Sequence, residues 1–554
     1  MSKPNPAETG GQPGKLADFL RPRLDKRLSE KTQEERMDAL IPVIFGIAKE
    51  LKFQPLETKF EIAPTDYIDT IAAYSMPGAP PDWRGGEDYW KLKKEREKGS
   101  VIYELVVNTL PPLAFLAENN PDIAQILVIA HVMGHTDFFA HNVAFKNTDR
   151  YMGQNIIART ERILYYEEQL GIPKVEEFVD AANAIAWNID PDPKSPINNM
   201  TNEEYKAWGK KRFKELWETS HRRPRSAYDD LLELEDRGKE KPVAPNAPFP
   251  AFEERDIMQF IRKFAPDGFI DESVPEELKE WQADILDSTR KMMVHLWPQA
   301  ETKIMNEGWA SYAHTSILHK MIERDLIPKE SDDAIESSRM HAGVVQGHPL
   351  HPNPYQLGLA IWEDIARKYA GDPRKDGKPD RDWMGNIIDV TKMSKEERER
   401  RYNPRHIMET HRDESFIREF LTPALVEDLK LYQYALRDGE NSWEGKHWRI
   451  TTRQAQEIIN GMAEQHINNG LPVIVVAPGG GDYKGKKELY LLHKHEGKEG
   501  SDLFLKDAKA VLTHLYTLWK RPVHLETVVD GKRYLYTCQG NKVSGKEIKE
   551  EATS

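Results

Sequence analysis

From Glu34 to Leu51 the apolar positions Met37, Leu40, Ile41, Ile44 and Ile47 fall every three or four residues, the period of a helix with one buried face. A short extended stretch, Glu57 to Ile62, follows. Similar periods predict helices over about 99–118, 122–146, 154–170, 174–189, 202–219, 254–264, 275–296, 299–323, 331–345 and 354–370. After about Leu425 the pattern shifts towards short apolar runs. Leu429–Leu436, His447–Ile450, Val473–Ala477, Glu488–Lys494, Val523–Val529 and Lys532–Thr537 read as strands, with helices over Thr452–Asn468 and Ser501–Trp519 between them. Asp530-Gly531 between the last two runs is a type I′ hairpin sequence. The pattern therefore predicts a mainly α chain: a large helical domain at about 30–420, then a smaller α+β domain at about 425–545. The second should hold one mostly antiparallel sheet with two helices on one face, because its strand runs come in hairpin-like pairs.

The breaks in the pattern are polar. Residues 1–15 read as a disordered tail. Tyr74–Trp90, rich in Gly and Pro, reads as a loop long enough to carry a role. Arg222–Phe252, with its prolines and dense charge, reads as a surface excursion, and Gly371–Arg401 as a solvated connection. Gly479-Gly480-Gly481 lacks the Gly-Lys-Ser/Thr of a phosphate loop and reads as a hairpin connection.

Composition narrows the class. The 554 residues include 13 Trp, 20 Tyr and 18 Phe, which build cores, so a disordered chain is excluded. With 78 basic and 91 acidic residues the net charge is −13, a poor match to wholesale nucleic-acid binding. The lone Cys538 cannot form an intramolecular disulfide and excludes a Cys-rich zinc module, so His and carboxylate would have to hold any metal. No run approaches the ~20 continuous apolar residues of a membrane span, and the N-terminal segment lacks a secretion signal. The expected location is the cytoplasm.

The candidate chemistry starts at His131 and His135. Four residues apart in an apolar helix, their rings project from one face, the spacing with which two imidazoles grip one ion. Taken alone, the pair reads first as core histidines bonded to carboxylates or carbonyls. Glu307 tips the balance towards metal: it lies among Ile304, Met305, Trp309 and Ala310, where an unpaired carboxylate is costly. A helical His-x-x-x-His with a helical Glu far downstream is the ligand layout of a gluzincin metallopeptidase. In that motif a Glu general base follows the first His; here Val132 stands there. Glu104, one turn from Asn108 on the expected 99–118 helix, reads first as a helix cap or an Arg partner and is the leading substitute for the base, and His314, nearly two turns past Glu307, is a candidate to steady an oxyanion. Asp137 points away from the His face of a regular helix and could orient a ligand from behind. His348 and His351, in a Pro-rich loop, read as surface residues. Zn suits the donor set best; Mn and Fe share its ligand types.

Over about Ile44–Asn541 the chain resembles the SpoVR family, named for a stage V sporulation protein. The resemblance rests on Ala130-His131-Val132-Met133-Gly134-His135-Thr136-Asp137-Phe138-Phe139, on Asn147-Thr148-Asp149-Arg150, and on the Trp297–Ser311 segment that contains Glu307. It extends to Ala342–Gln346, Asn353-Pro354-Tyr355, Ser415–Arg418, Phe420–Thr422 and Val523–Thr527. Asp82-Trp83-Arg84-Gly85-Gly86 and Ala140-His141-Asn142 depart from the family's usual loops, which affects substrate contacts there but leaves His131, His135 and Glu307 untouched. The resemblance implies a role in spore-cortex formation or a stress response. It also implies association with a serine protein kinase of the PrkA type and a von Willebrand A-like protein. It brings no settled activity. Two readings follow: a metal-dependent hydrolase-like protein acting on an amide bond, and a non-catalytic scaffold for those partners.

Overall fold

Val106 and Val107, then Pro111 and Pro112, decide the first departure from the helical pattern. β-Branched residues favour the pleated strand, and paired prolines cannot sit inside a helix. In the computed structural model Glu104–Val107 and Leu113–Ala117 are antiparallel strands, and Lys59–Ala63 pairs parallel with the second of them. The expected 99–118 helix is thereby corrected. The structure describes residues 32–64, 68, 104–220, 245–347, 352–382, 384–438, 446–495 and 503–548. The tail 1–15, the Tyr74–Trp90 loop, most of the Arg222–Phe252 excursion, His348 and His351 lie outside the described residues.

The described residues of Met1–Ser75, Gly99–Gly153 and Trp297–Gly470 make one compact unit; those of Gln154–Leu296 and Leu471–Ser554 make a second. Each unit is thus assembled from separated stretches of chain.

The first unit is organised around three helices. Asp122–His141, the histidine helix, is apolar nearly all round and buried from Ile123 to Phe139. Lys303–Glu323, the carboxylate helix, packs between it and Pro354–Ala370. Small residues permit the approach. A Cβ on Gly134 would lie 2.5 Å from the Ala310 Cα, and one on Gly308 would lie 2.5 Å from the Gly358 Cα. Trp309, Trp362 and Phe416 fill the space around the carboxylate helix, with ring centroids 4.9 and 4.7 Å apart along the series. Gln33–Glu50 packs on the histidine helix and starts in a capping box, in which Thr32 Oγ1 accepts from Glu35 N–H and Glu35 Oε2 from Thr32 N–H.

Gln433–Asp438 and Lys446–Thr452 pair with each other as a separate two-stranded hairpin in the first unit. The expected single sheet is corrected accordingly: alternation marks a strand but does not name the sheet it joins. The sheet of the second unit is five-stranded and mixed, in the order Lys542–Glu547, Lys532–Gln539, Val523–Val529, Leu489–His493, Ile474–Val476. Three of its pairings are antiparallel; the Leu489–His493/Val523–Val529 pair is parallel, and the Leu505–Trp519 helix makes its crossover. Asp530 and Gly531 both have positive φ, +50° and +75°, as a type I′ turn requires. Gly479 opens the turn between Ile474–Val476 and Leu489–His493, a hairpin connection as its sequence suggests. Cys538 is buried and unpaired in any disulfide.

By length and composition the histidine helix is the one described helix able to cross a membrane, and 94% of its apolar window is buried inside the protein.

Candidate metal centre

His131 and His135 share a face because they lie one helical turn apart, and their rings meet edge to face at 4.7 Å. Glu307 comes from the carboxylate helix opposite. Its Oε2 lies 3.6 Å from His131 Nε2 and 3.5 Å from His135 Nε2. One ligand atom from each of the three lies within 4.8 Å of the other two. Bonds of ~2.0–2.2 Å at tetrahedral angles put neighbouring ligand atoms ~3.3–3.5 Å apart, so the carboxylate–imidazole separations match an ion held between them. They exceed the ~2.7–3.2 Å of an ordinary N–H···O bond.

The tautomers are compatible with that ion. Asn306 Oδ1 lies 2.9 Å from His135 Nδ1, and a carbonyl oxygen can only accept, so Nδ1 carries a proton and Nε2 presents a lone pair when the ring is neutral. His135 Nε2 faces the buried Glu307 oxygen, and either a proton on that nitrogen or a cation between the two atoms satisfies the pair. Burial pushes the Glu307 carboxyl up, but His131, His135 and Lys303 outweigh it and hold it below the usual carboxylate range. The residues present fit a divalent metal.

Around this centre the helices are fixed in register. Asp137 is fully buried; it accepts from Trp309 Nε1 at 3.1 Å and Arg405 Nη1 at 2.6 Å, and pairs with His141 Nδ1 at 3.1 Å. The hydrogen bond to Asp137 raises the His141 pKa. Asp137 therefore locks the histidine helix to the carboxylate helix and to Pro404–Thr410, rather than orienting a ligand directly. Asp413 caps the start of the carboxylate helix, accepting from Ile304 and Met305 N–H at 2.8 Å each; burial pushes its carboxyl up to about 7 against those two donors.

The family model described as SpoVR like protein matches residues 31–471, and that for the SpoVR-like C-terminal domain matches residues 473–530. The chain belongs to the SpoVR family. Uncharacterized protein YcgB of Escherichia coli (strain K12) is 27% identical to it over 510 residues, covering 88% of this chain and 91% of the relative. No solved structure matches the chain at a significant level.

In this SpoVR chain the structure brings His131, His135 and Glu307 together and sets His314 beside His131. His314 is buried with both ring nitrogens engaged, Nδ1 at 2.8 Å from His131 Nδ1 and Nε2 at 2.8 Å from His341 Nδ1. Burial, then the neighbouring imidazoles, holds its pKa well below the ordinary histidine value. It stands behind His131, with both ring nitrogens already engaged. Glu104 begins a strand, and its side chain lies outside the described residues. Asn306 and Tyr355 were not legible as site residues, although Asn306 is a polar residue beside Glu307 in an apolar helix, which could have marked it. Tyr355, in the Asn353-Pro354-Tyr355 match, stacks on the His131 ring at 6.0 Å and 26°. Replacing Asn306 with Ala removes the acceptor that fixes His135. Zinc affinity, read by chelator competition, is expected to fall ~10–100-fold with the fold retained.

Proposed function

We propose that this SpoVR protein is a metal-dependent, hydrolase-like protein acting on an amide bond in spore-cortex or stress-response metabolism. The observation that supports this most is the Glu307 carboxylate facing His135 Nε2 across 3.5 Å and His131 Nε2 across 3.6 Å, too long for ordinary hydrogen bonds and suited to a shared ion. His131, His135 and Glu307 would hold the ion, zinc first and manganese or iron as alternatives. A bound divalent metal would polarise a carbonyl and lower the pKa of a water towards ~7. The protein's own contribution is positional: Asn306 presents His135, His314 backs His131, and Asp137 and Asp413 hold the helices that carry them. Glu104 remains the proposed base. In the cytoplasm, the proposed location, the substrate would be a cortex precursor or a protein.

A second reading has its own observation. Val132 is fully buried where a gluzincin carries its base, which suits a non-catalytic scaffold whose working does not depend on the His131–His135–Glu307 cluster. Its proposed partners are a PrkA-type serine protein kinase and a von Willebrand A-like protein. Chromosomal His135→Ala separates the two. The catalytic reading expects a folded, stably accumulated protein whose cells show the null phenotype. Normal cells carrying a folded variant would reject it and favour the scaffold.

A further inference from the structure

The two imidazoles of the centre are backed by different groups. His135 Nδ1 meets Asn306 Oδ1, an amide oxygen that accepts. His131 Nδ1 meets a third imidazole, His314, and His314 in turn meets a fourth, His341. His314 comes from the carboxylate helix, seven residues past Glu307, and is fully buried. His341 lies in the last turn of Asp332–Val344 and is half-buried, so the line of rings runs from the centre towards the surface.

A neutral imidazole offers one donor and one acceptor, so a line of them has a single consistent direction once one member is fixed. With His131 Nε2 given to a metal, the His131 proton is on Nδ1. His314 then accepts at Nδ1 and donates from Nε2. His341 accepts at Nδ1 and carries its own proton on Nε2. We infer that His314 and His341 are positioning residues that hold His131 as the Nδ1–H tautomer and so tune the metal affinity of the centre. The inference rests on the metal reading above and adds the device that regulates it. Metal-bound imidazoles are usually backed by a carboxylate or carbonyl, which makes the ligand more basic. An imidazole acceptor is neutral and weaker, so His131 donates less charge than a carboxylate-backed ligand would. That leaves an ion at the centre more electrophilic and makes its affinity depend on a residue half-exposed at the far end of the line.

The test uses the full-length protein, zinc alone as the probe, and His314→Gln, His314→Leu and His341→Ala. Gln can accept from His131 through its carbonyl and donate to His341 through its amide; Leu fills the space and does neither. Chelator competition should place His314→Gln within ~3-fold of the parent and His314→Leu ~10–100-fold weaker, with His341→Ala between them. Imidazole 15N shifts of the zinc-loaded parent should show a proton on His131 Nδ1 and on His341 Nε2. Equal zinc affinity in the Gln and Leu variants, or a His131 without its Nδ1 proton, overturns the inference while the metal reading stands. A parent that binds no zinc overturns both. If His314→Leu does not fold, His341→Ala decides: an unchanged affinity rejects the inference and a several-fold loss supports it.

Discussion

Gly308→Val will cost the first unit ~3 kcal/mol or more, at the top of the usual range for overpacked cores, because the obstacle is backbone. A Cβ at Gly308 would sit 2.5 Å from the Gly358 Cα, and one at Gly358 would sit 2.7 Å from the Gly308 Cα. Side chains can rotate away from a clash; two helix backbones can only separate. Separation at this crossing moves Glu307, the adjacent residue, relative to His131 and His135. Loss of zinc binding should therefore accompany the loss of stability. Gly134→Ala tests the opposite crossing, where the new methyl meets the Ala310 Cα at 2.5 Å and the Ala313 Cβ at 2.9 Å. Gly46→Ala is the control. Nothing lies within 4 Å of a Cβ there, and the residue is mid-helix, so a gain of up to ~1 kcal/mol is expected. Urea unfolding followed by circular dichroism reads all three. A Gly308→Val protein as stable as its parent would mean the helices do not cross as described.

Asp137→Ala is expected to be as damaging, ~3–5 kcal/mol, through charge rather than volume. Removing the carboxylate leaves the Arg405 guanidinium, four-fifths buried, without the partner it holds at 2.6 Å, and leaves Trp309 Nε1 without an acceptor. The Arg405–Glu409 pair at 2.8 Å recovers part of the loss. His141 supplies a readout that packing alone would not move. Its folded pKa lies above 6.5 because of Asp137, so its contribution to stability is full below pH 6.5 and fades as pH rises through the raised value. In Asp137→Asn that pH dependence should shrink and the His141 titration should move down towards 6.5. An Asp137→Asn protein with an unmoved His141 titration would show that the carboxylate is not what charges the ring.

The sequence carried the face of each helix but not its depth or its neighbours. His131 and His135 were legible because one helical turn forces two side chains onto one side, and Glu307 because a carboxylate among Ile304, Met305 and Trp309 needs a cation or donors. His314 lay on the correct face, yet spacing alone could not show that His341, on another helix, would take its second nitrogen. Asp137 was legible as pointing away from the histidine face; Arg405, its partner 268 residues downstream, was not. The helix expected around Glu104 failed for a local reason, since Pro111 and Pro112 lay inside it and β-branched Val106 and Val107 preceded them. The assembly of each unit from separated segments left no trace in periodicity, because hydrophobic spacing reports which face is buried and not what buries it.

The most direct test of the metal centre is elemental analysis of the full-length protein, purified without chelator, beside Glu307→Gln. Gln keeps the size of the side chain and removes its charge, so the histidines lose the anion that completes the set. The parent should carry close to one equivalent of a divalent metal, and a Glu307→Gln protein with an unchanged circular dichroism spectrum should lose most of it. A parent free of metal that also takes up none when zinc is supplied, or equal metal in both proteins, would contradict the metal reading.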